Sequence, residues 1–264
     1  MRKNLISRIA PVALVLFGLT ALSFTAKDGV TLRLKPQQGK TYTITTKANT
    51  MTMMEVQGQS MNMSQNMEFR QSFTAKETND TKSVFETQID AIKMTISQMG
   101  MKFEYDSEHP EKTSPMLAGQ TAEIDKSVKK PSTVTYDNMG KIIDSIDLEM
   151  SRLGSVIFEL PKEEITVGSS WTIDNKQSVN GTEMNTKMTY TVTAISKKSI
   201  DVDVAGTVEG SLETTGTYTG TASINPQTGI LTSSSIKNNF SMIVTEQGIS
   251  IPMTIVGTTT VEVK

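Results

Sequence analysis

Methionine supplies the most distinctive chemistry in this sequence. The chain holds 17 methionines, and several follow one another at short spacing: Met51, Met53, Met54, Met61, Met63 and Met67. Thioether sulfur is a soft ligand, so such a cluster can bind Cu(I). Methionine is also an adaptable apolar side chain that fills irregular cores and lines ligand cavities. The spacing therefore leaves three interpretations open: core packing, an apolar ligand surface and a Cu(I) site.

The residues around these methionines favour a sheet face over a metal site. Met61, Met63 and Met67 share odd positions with Phe69 and Phe73, while polar residues take the even positions. Successive side chains of a strand point to opposite faces, so this pattern predicts a strand with one apolar face. Following segments alternate in the same way. The candidate apolar ligand surface consists of Met61, Met63, Met67, Phe69, Phe73, Met94, Met101 and Phe103.

Residues for acid–base, nucleophilic or zinc chemistry are scarce. His109 is the only histidine, and it lies between Glu108 and Pro110 in a charged stretch typical of a solvated loop. A catalytic relay needs a positioned histidine or cysteine, and zinc needs several nitrogen or sulfur ligands. The carboxylate groups, Asp144 with Asp147 and the loop around Asp106, are as readily explained by a helix start or by solvation. We expect neither an enzyme nor a cofactor.

The elements that must carry these side chains are strands almost throughout. From Val30 onward, apolar and polar residues alternate in runs separated by turn residues, which predicts about a dozen antiparallel strands. The parity of the apolar residues changes near Ala91, which predicts a β-bulge there. Two short helices are predicted near the middle of the chain, one within Ser114–Lys129 and one ending before Pro161.

Two similar motifs divide these strands into halves, and we call them openings because each stands at the start of a series of strands. Tyr42 follows Gly39 and Trp171 follows Gly168, each with an isoleucine two residues later, and each series ends at a turn rich in Asn and Gly. We expect both aromatic residues to anchor the edge of a core. The predicted organisation is 1–26 signal peptide, 27–147 N-terminal β-half with an insertion at 106–131, 148–167 short helix and connector, and 168–264 C-terminal β-half.

The signal-peptide prediction rests on three basic residues before an apolar run, Ile9 to Leu22, which is short for a membrane span. The chain has no cysteine, so a lipoprotein anchor is not expected, and its formal net charge is −2. With no basic tract, nucleic acid is excluded as a partner. The sequence predicts a periplasmic or secreted protein with no transmembrane span after signal removal.

Long strands with one apolar face favour a mainly β fold, either a large curved antiparallel sheet or a half-barrel built from two similar β-halves, with one or two short helices in the middle of the chain. Strands of this length suit strongly curved sheets better than immunoglobulin-like sandwiches. The middle helices are placed where they could cover part of such a sheet.

The two openings and their closing turns carry a family resemblance. The motifs are Gly39–Ile44, Gly168–Ile173, Asp137–Ile142, Asn225–Leu231 and Pro161–Gly168. They resemble an uncharacterised family of exported β-rich proteins, a domain of unknown function common in Bacteroidota. The resemblance implies export and a β-rich fold and gives no catalytic residues. A looser likeness, of fold alone, is to periplasmic lipoprotein-carrier half-barrels.

These features predict a non-enzymatic binding protein with an apolar, methionine-rich concave surface for a lipid-like or other hydrophobic small molecule. The alternative is an envelope module that binds another protein or a wall polymer through threonine-rich outer faces. A methionine-rich Cu(I)-binding protein is a more remote alternative.

Overall fold

A computed structural model describes residues 29–56, 58–145, 156–179, 182–211, 213–246 and 249–264. The predicted signal peptide, 1–26, lies outside this range. The elements are β1 (Thr41–Val56), β2 (Gln59–Thr78), β3 (Lys82–Gln98), β4 (Met101–Asp106), a 3-10 helix (Pro110–Lys112), α1 (Pro115–Ser127), β5 (Pro131–Asp137), β6 (Ile142–Ser145), β7 (Ser170–Val179), β8 (Thr182–Ile195), β9 (Ile200–Gly210), β10 (Thr215–Ile224), β11 (Leu231–Glu246) and β12 (Ile249–Val263).

The twelve strands of the described residues belong to one antiparallel sheet. Its order is β6-β5-β3-β2-β1-β12-β11-β10-β9-β8-β7, and β4 lies off this path, paired with the C-terminal part of β3, Lys93–Gln98. The sheet is not closed, but it curls strongly enough for Gly140 to Ile142 near one edge and Ile173 to Asn175 of the other edge to line one cavity. The prediction of a large curved antiparallel sheet is confirmed.

The two halves meet where the first strand pairs with the last. β1 and β12 run antiparallel from the pair Ile44–Val263 to the pair Met54–Met253. The main apolar cluster takes Tyr42 and Phe73 from one half and Val192 and Ile224 from the other. The halves therefore share one core.

Two segments outside the strands fill the inner side of the curved sheet. Leu32 and Leu34 are fully buried in the core, and Leu160 joins them from the connector between the halves. The two segments form a β-bridge, in which Val30 and Ile165 exchange backbone hydrogen bonds of 2.8 and 2.9 Å. We call these two segments the plug. They occupy the place that a second sheet takes in a β-sandwich.

The two predicted openings have the same local structure. Gly39 and Gly168 both have positive φ, 81° and 90°, a conformation that glycine adopts without steric cost. The Gly39 N–H donates to the carbonyl of Ala75 at 2.7 Å, and the Gly168 N–H donates to that of Val192 at 2.8 Å. Each glycine thus starts its strand beside the end of the following one, as expected for related halves.

The two closing turns are also alike. The side-chain oxygen of Asp137 accepts two backbone N–H bonds in the first turn, as that of Asn225 does in the second. Both turns end at a glycine with positive φ, Gly140 and Gly229. The N-terminal segment reaches both, because the Leu34 N–H donates to the carbonyl of Asn138 and the Lys35 N–H to that of Thr228.

The predicted bulge in β3 is confirmed one residue from its expected place. Arg70 of β2 pairs with Ala91, but the next residue, Gln71, pairs with Ile89, so Asp90 has no partner on β2. The extra residue shifts the alternation of β3 by one position. Apolar side chains on either side of the bulge therefore stay on the same face of the sheet.

Helix α1 covers the inner face beside β3 and β4. Leu117, Ile124 and Val128 pack with Phe69 and Tyr105 in a second apolar cluster. Met116 and Ala122 are also apolar residues of this helix, but both are exposed. The reason is the helical period: counting from Leu117, positions four, seven and eleven residues later face the sheet.

The second predicted helix, 147–160, is mostly outside the described residues. Its described part, 156–160, is not helical. Val156 and Leu160 are buried in the core, and the Leu160 N–H donates to the carbonyl of Met139 at 2.7 Å.

Candidate ligand-binding surface

Strand pairing arranges the inward side chains in rows that run across the sheet. Met54 of β1 lies opposite Met61 of β2 on one side and opposite Met253 of β12 on the other, and Met253 lies opposite Met242 of β11. Directly opposite residues share a face and have Cβ atoms about 5 Å apart. These four methionines form the methionine row. It shares its face with Tyr42 and Ile44, since all even positions of β1 point inward.

The next row towards the core is also apolar. It runs through Met63, Thr52, Ile255, Phe240 and Val208, with Gly216 between the last two. Phe240 covers Gly216, where an added Cβ would lie 2.1 Å from the ring. The same ring packs edge-on against Tyr218, with centroids 5.0 Å apart.

A third row is polar but uncharged. Gln65 of β2 lies opposite Thr50, Thr50 opposite Gly257, Gly257 opposite Asn238, and Asn238 opposite Tyr218. We call these residues the neutral polar row. It separates the two apolar rows from the main core.

These three rows, which we call the open inner face, are only partly covered. Thr52 and Val208 are buried, while the other members are half-buried. Among the described elements, helix α1 packs over the sheet only at the β3–β4 side, and the plug occupies the opposite end of the strands. The open inner face, with two apolar rows and one neutral polar row, is therefore left in reach of solvent.

Between the core and the methionine row, the charged side chains of the described strands point to the outer face of the sheet. Along the described strands, no inward position between the core and the methionine row carries Asp, Glu, Lys or Arg, whereas the outward positions carry many. Lys47 and Glu68, for example, lie opposite each other on the outer face, 3.8 Å apart and well exposed. The inner and outer faces thus differ in chemistry as well as in curvature.

The predicted surface residues separate into three groups. Met61, Met63 and Met67 lie half-buried on the inner face. Phe73 is 1% exposed in the main core, and Phe69 is 6% exposed in the cluster under α1, where Met94 and Phe103 also pack. Met101 is 53% exposed at the start of β4.

The structure adds residues that sequence reasoning did not select. Met54, Met242, Met253, Ile255 and Phe240 belong to the open inner face with Met61 and Met63. Their alternation within β1, β11 and β12 was visible in the sequence. Their proximity to β2 was not, because it depends on the pairing of the first strand with the last.

Three stacked aromatic rings lie at the β7 edge. Tyr190 stacks between Phe158 and Trp171, with centroid separations of 5.0 and 5.2 Å. The Trp171 indole N–H donates to the carbonyl of Glu159 at 3.2 Å, and burial raises the pKa of Tyr190 to about 12. Both predicted anchors, Tyr42 and Trp171, contact the main core.

Titratable groups cluster on the outer face near β4, where they form ion pairs with one another. Lys93 forms ion pairs with Asp106 at 3.3 Å and Glu108 at 3.5 Å, and its hydrogen bond to Asp106 raises the pKa of Lys93. His109 is half-exposed, with Glu111 at 3.4 Å. Within the described chain, no group of three His, Cys, Asp or Glu residues is placed to hold a metal ion. Asp144 is exposed, and Asp147 lies outside the described residues.

The outer face has a hollow of its own, of about 540 Å³. It crosses β2, β1, β12, β11 and β10. Its lining is mainly neutral and polar: Asn49, Asn66, Asn239, Thr217, Thr219 and Thr258, with Lys237 and Met51. None of the described helices is long and apolar enough to span a membrane.

Comparison with known proteins agrees with this architecture. A family model described as "Family of unknown function (DUF6263)" matches residues 148–231. No curated protein matches the chain. A solved structure titled "Lipid-protein interactions in lipovitellin" is similar in fold, with a TM-score of 0.53 and 12% identity, over 86% of this chain and 25% of that one. The chain thus spans a quarter of the lipovitellin chain, and at this identity the likeness shows the fold alone. The match to a family of unknown function agrees with the predicted resemblance, whose distribution in Bacteroidota stays a prediction.

Proposed function

We propose that this protein is an exported, non-enzymatic binding protein that holds a lipid-like or other hydrophobic ligand on the open inner face. The observation that carries this proposal is the uncharged apolar face between the plug and the methionine row, left half-exposed by the described elements. A continuous apolar surface that solvent can reach is typical of an interaction site.

The side chains of this surface suit ligands of irregular shape. Unbranched methionine side chains can reorient around a ligand, as at other adaptable binding surfaces. Each ligand methylene removed from water contributes about 0.8 kcal/mol. A long acyl or isoprenoid chain lying along the methionine row would therefore bind without a specific polar contact.

The likeness to lipovitellin gives a second, weaker support. That structure's title concerns lipid–protein interactions, and its similarity to this chain is one of fold. A curved sheet of this kind can present one continuous apolar face to a ligand.

Adjacent methionines on opposite faces of β1 provide the decisive test. Met54 belongs to the open inner face, while Met53 is 38% exposed on the outer face. We would measure binding of an environment-sensitive fluorescent lipid probe to the wild-type protein, Met54→Lys and Met53→Lys. Met54→Lys is expected to weaken binding at least about tenfold and Met53→Lys to leave it unchanged. Equal binding by all three proteins, or no binding by the wild type, would refute the proposal. Native mass spectrometry of protein from its own cells would show whether a lipid copurifies.

The outer hollow favours a second candidate function, an envelope module that binds a wall polymer or another protein. Its neutral amide and hydroxyl groups could form hydrogen bonds to sugars or to a peptide backbone. Replacing Asn66 and Asn239 with alanine should then abolish retention on insoluble cell-wall material while lipid-probe binding persists.

The methionine row also gives the Cu(I) alternative a specific location. Met54→Leu would remove the central thioether and keep the face apolar. Tight Cu(I) binding against a competing chelator, lost in Met54→Leu but kept in Met53→Leu, would establish that alternative.

A further inference from the structure

The neutral polar row lies within a face that is otherwise apolar. Gln65, Thr50, Asn238 and Tyr218 span five neighbouring strands, with Gly257 between Thr50 and Asn238. At a strand spacing of about 4.8 Å, the row is about 19 Å long. It borders the second apolar row on the side nearest the core, so it would border a ligand chain that covers the two apolar rows.

The side chains of this row have hydrogen-bonding capacity to spare. Among the described residues, the Gln65 amide donates to the Met94 thioether alone, at 3.2 Å, and thioether sulfur is a weak acceptor. Within the described residues, the side chains of Thr50, Asn238 and Tyr218 have no hydrogen-bonded partner. All four side chains are half-buried. They point to the same face of the sheet as the apolar rows.

Among the described strands, no charged side chain near the row points to that face. The charged residues of β1, β2, β11 and β12 near the row, including Lys47, Glu68 and Lys237, point to the outer face. On the inner side the nearest packed helix contributes Asp125, which already accepts a hydrogen bond from Tyr105 at 2.6 Å. Burial raises the pKa of Tyr218, so its phenol stays neutral at physiological pH. An ionised ligand group placed here would lose water without gaining a counterion.

We infer that the ligand of the open inner face is uncharged and carries a neutral hydrogen-bonding group, a hydroxyl, ester or amide, on a long apolar chain. This inference rests on the proposed function and narrows the class of ligand. The apolar rows take the chain, and the amides and hydroxyls of the neutral polar row take the polar group.

Ligands that share one chain and differ in their head group test the inference. We would measure displacement of a neutral fluorescent probe by lauryl alcohol, laurate, dodecyltrimethylammonium and dodecane at neutral pH. The alcohol should bind at least about tenfold tighter than either ion, and tighter than the alkane. Laurate or the ammonium binding as tightly as the alcohol would overturn the inference while leaving the proposed function intact. If the probe itself does not bind, the proposed function fails.

Variants at two adjacent residues test whether the neutral polar row, and not another part of the sheet, recognises the polar group of the ligand. Asn238 points inward and Asn239 outward. Asn238→Leu should remove the preference for the alcohol over the alkane while keeping alkane binding, and Asn239→Leu should change neither. Thr50→Lys should strengthen laurate binding, whereas its outward neighbour Asn49→Lys should not. If Thr50→Lys fails to fold, the Asn238→Leu comparison decides alone: an unchanged alcohol preference would overturn the inference.

Discussion

Met54 of β1 lies directly opposite Met253 of β12, although 199 residues separate them along the chain. This pair joins the two halves of the sheet at its open end, as Ile44 and Val263 join them near the core. The methionine row exists because of this contact. Without it, Met61 with Met54 and Met242 with Met253 would be two unrelated hairpin pairs.

Oxidation should distinguish exposed methionines from those of the open inner face. Met99 and Met116 are 74% and 71% exposed, so dilute hydrogen peroxide should convert them to sulfoxides first. In that step the oxidant transfers one oxygen to sulfur and leaves as water. A bound hydrophobic ligand should protect Met54 and Met253, and their oxidation should abolish binding because the sulfoxide is polar. Peptide mass mapping with and without the lipid probe checks this; equal rates with and without the probe would contradict it.

Gly140 should tolerate no side chain, and Gly39 provides its control. Both have φ of 81°, a conformation that costs an L-residue about 1–2 kcal/mol. An added Cβ at Gly140 would lie 2.3 Å from the Phe158 carbonyl oxygen, whereas nothing lies within 4 Å at Gly39. Gly140→Ala should therefore lower the free energy of unfolding by more than about 3 kcal/mol and Gly39→Ala by about 1. Denaturant titration of the two variants makes the comparison, and equal losses would show that the clash is relieved.

Shortening Leu32 should destabilise both halves together. Leu32 is fully buried in the core that they share, so Leu32→Ala is expected to lower the free energy of unfolding by about 2–5 kcal/mol. Near-ultraviolet circular dichroism should report Trp171 and fluorescence of a label in β2 should report the N-terminal half. Both probes should give one common transition; two separated transitions would mean that the plug does not couple the halves.

Gln71 is a polar residue buried in an apolar environment. It is 2% exposed, and its Oε1 accepts no hydrogen bond from the described residues. Replacing a buried amide of this kind with an apolar side chain of similar volume is neutral or stabilising. Gln71→Met is therefore expected to raise the free energy of unfolding by about 1 kcal/mol, and Gln65→Met, at a half-buried position, by less. A lower melting temperature for Gln71→Met would indicate that the amide has a function.

Stability should fall at alkaline pH because of Tyr190. Burial raises its pKa from 10.0 to about 12, so the folded state favours the neutral phenol. This contribution is fully present below the unfolded value of about 10 and is lost as pH rises to about 12, at about 1.4 kcal/mol per pH unit. Denaturant titrations between these pH values should show a steeper loss for the wild type than for Tyr190→Phe. If stability falls equally with pH in the two proteins, Tyr190 is not the cause of the loss.

Much of the fold could be predicted because its signals are local. The odd-position pattern of Met61, Met63, Phe69 and Phe73 describes one face of β2, and the parity change near Ala91 marked the bulge at Asp90 within one residue. The turn at Asp137 could be predicted from Asn138 and Gly140, which follow it in the sequence. The face of α1 was less clear, since Met116 and Ala122 are apolar residues on its exposed side.

The sequence by itself determined which side chains of each strand share a face and that charge stays off the apolar one, because alternation needs nothing beyond the geometry of a single strand. Only the tertiary structure decided which strands are neighbours, which inward residues the plug and α1 bury, and which stay open. Phe73 and Met63 have the same parity in β2, yet one lies in the core and the other on the open inner face. That difference depends on segments far away in sequence, Leu32 and Leu160 above all, packing over one end of the sheet and not the other.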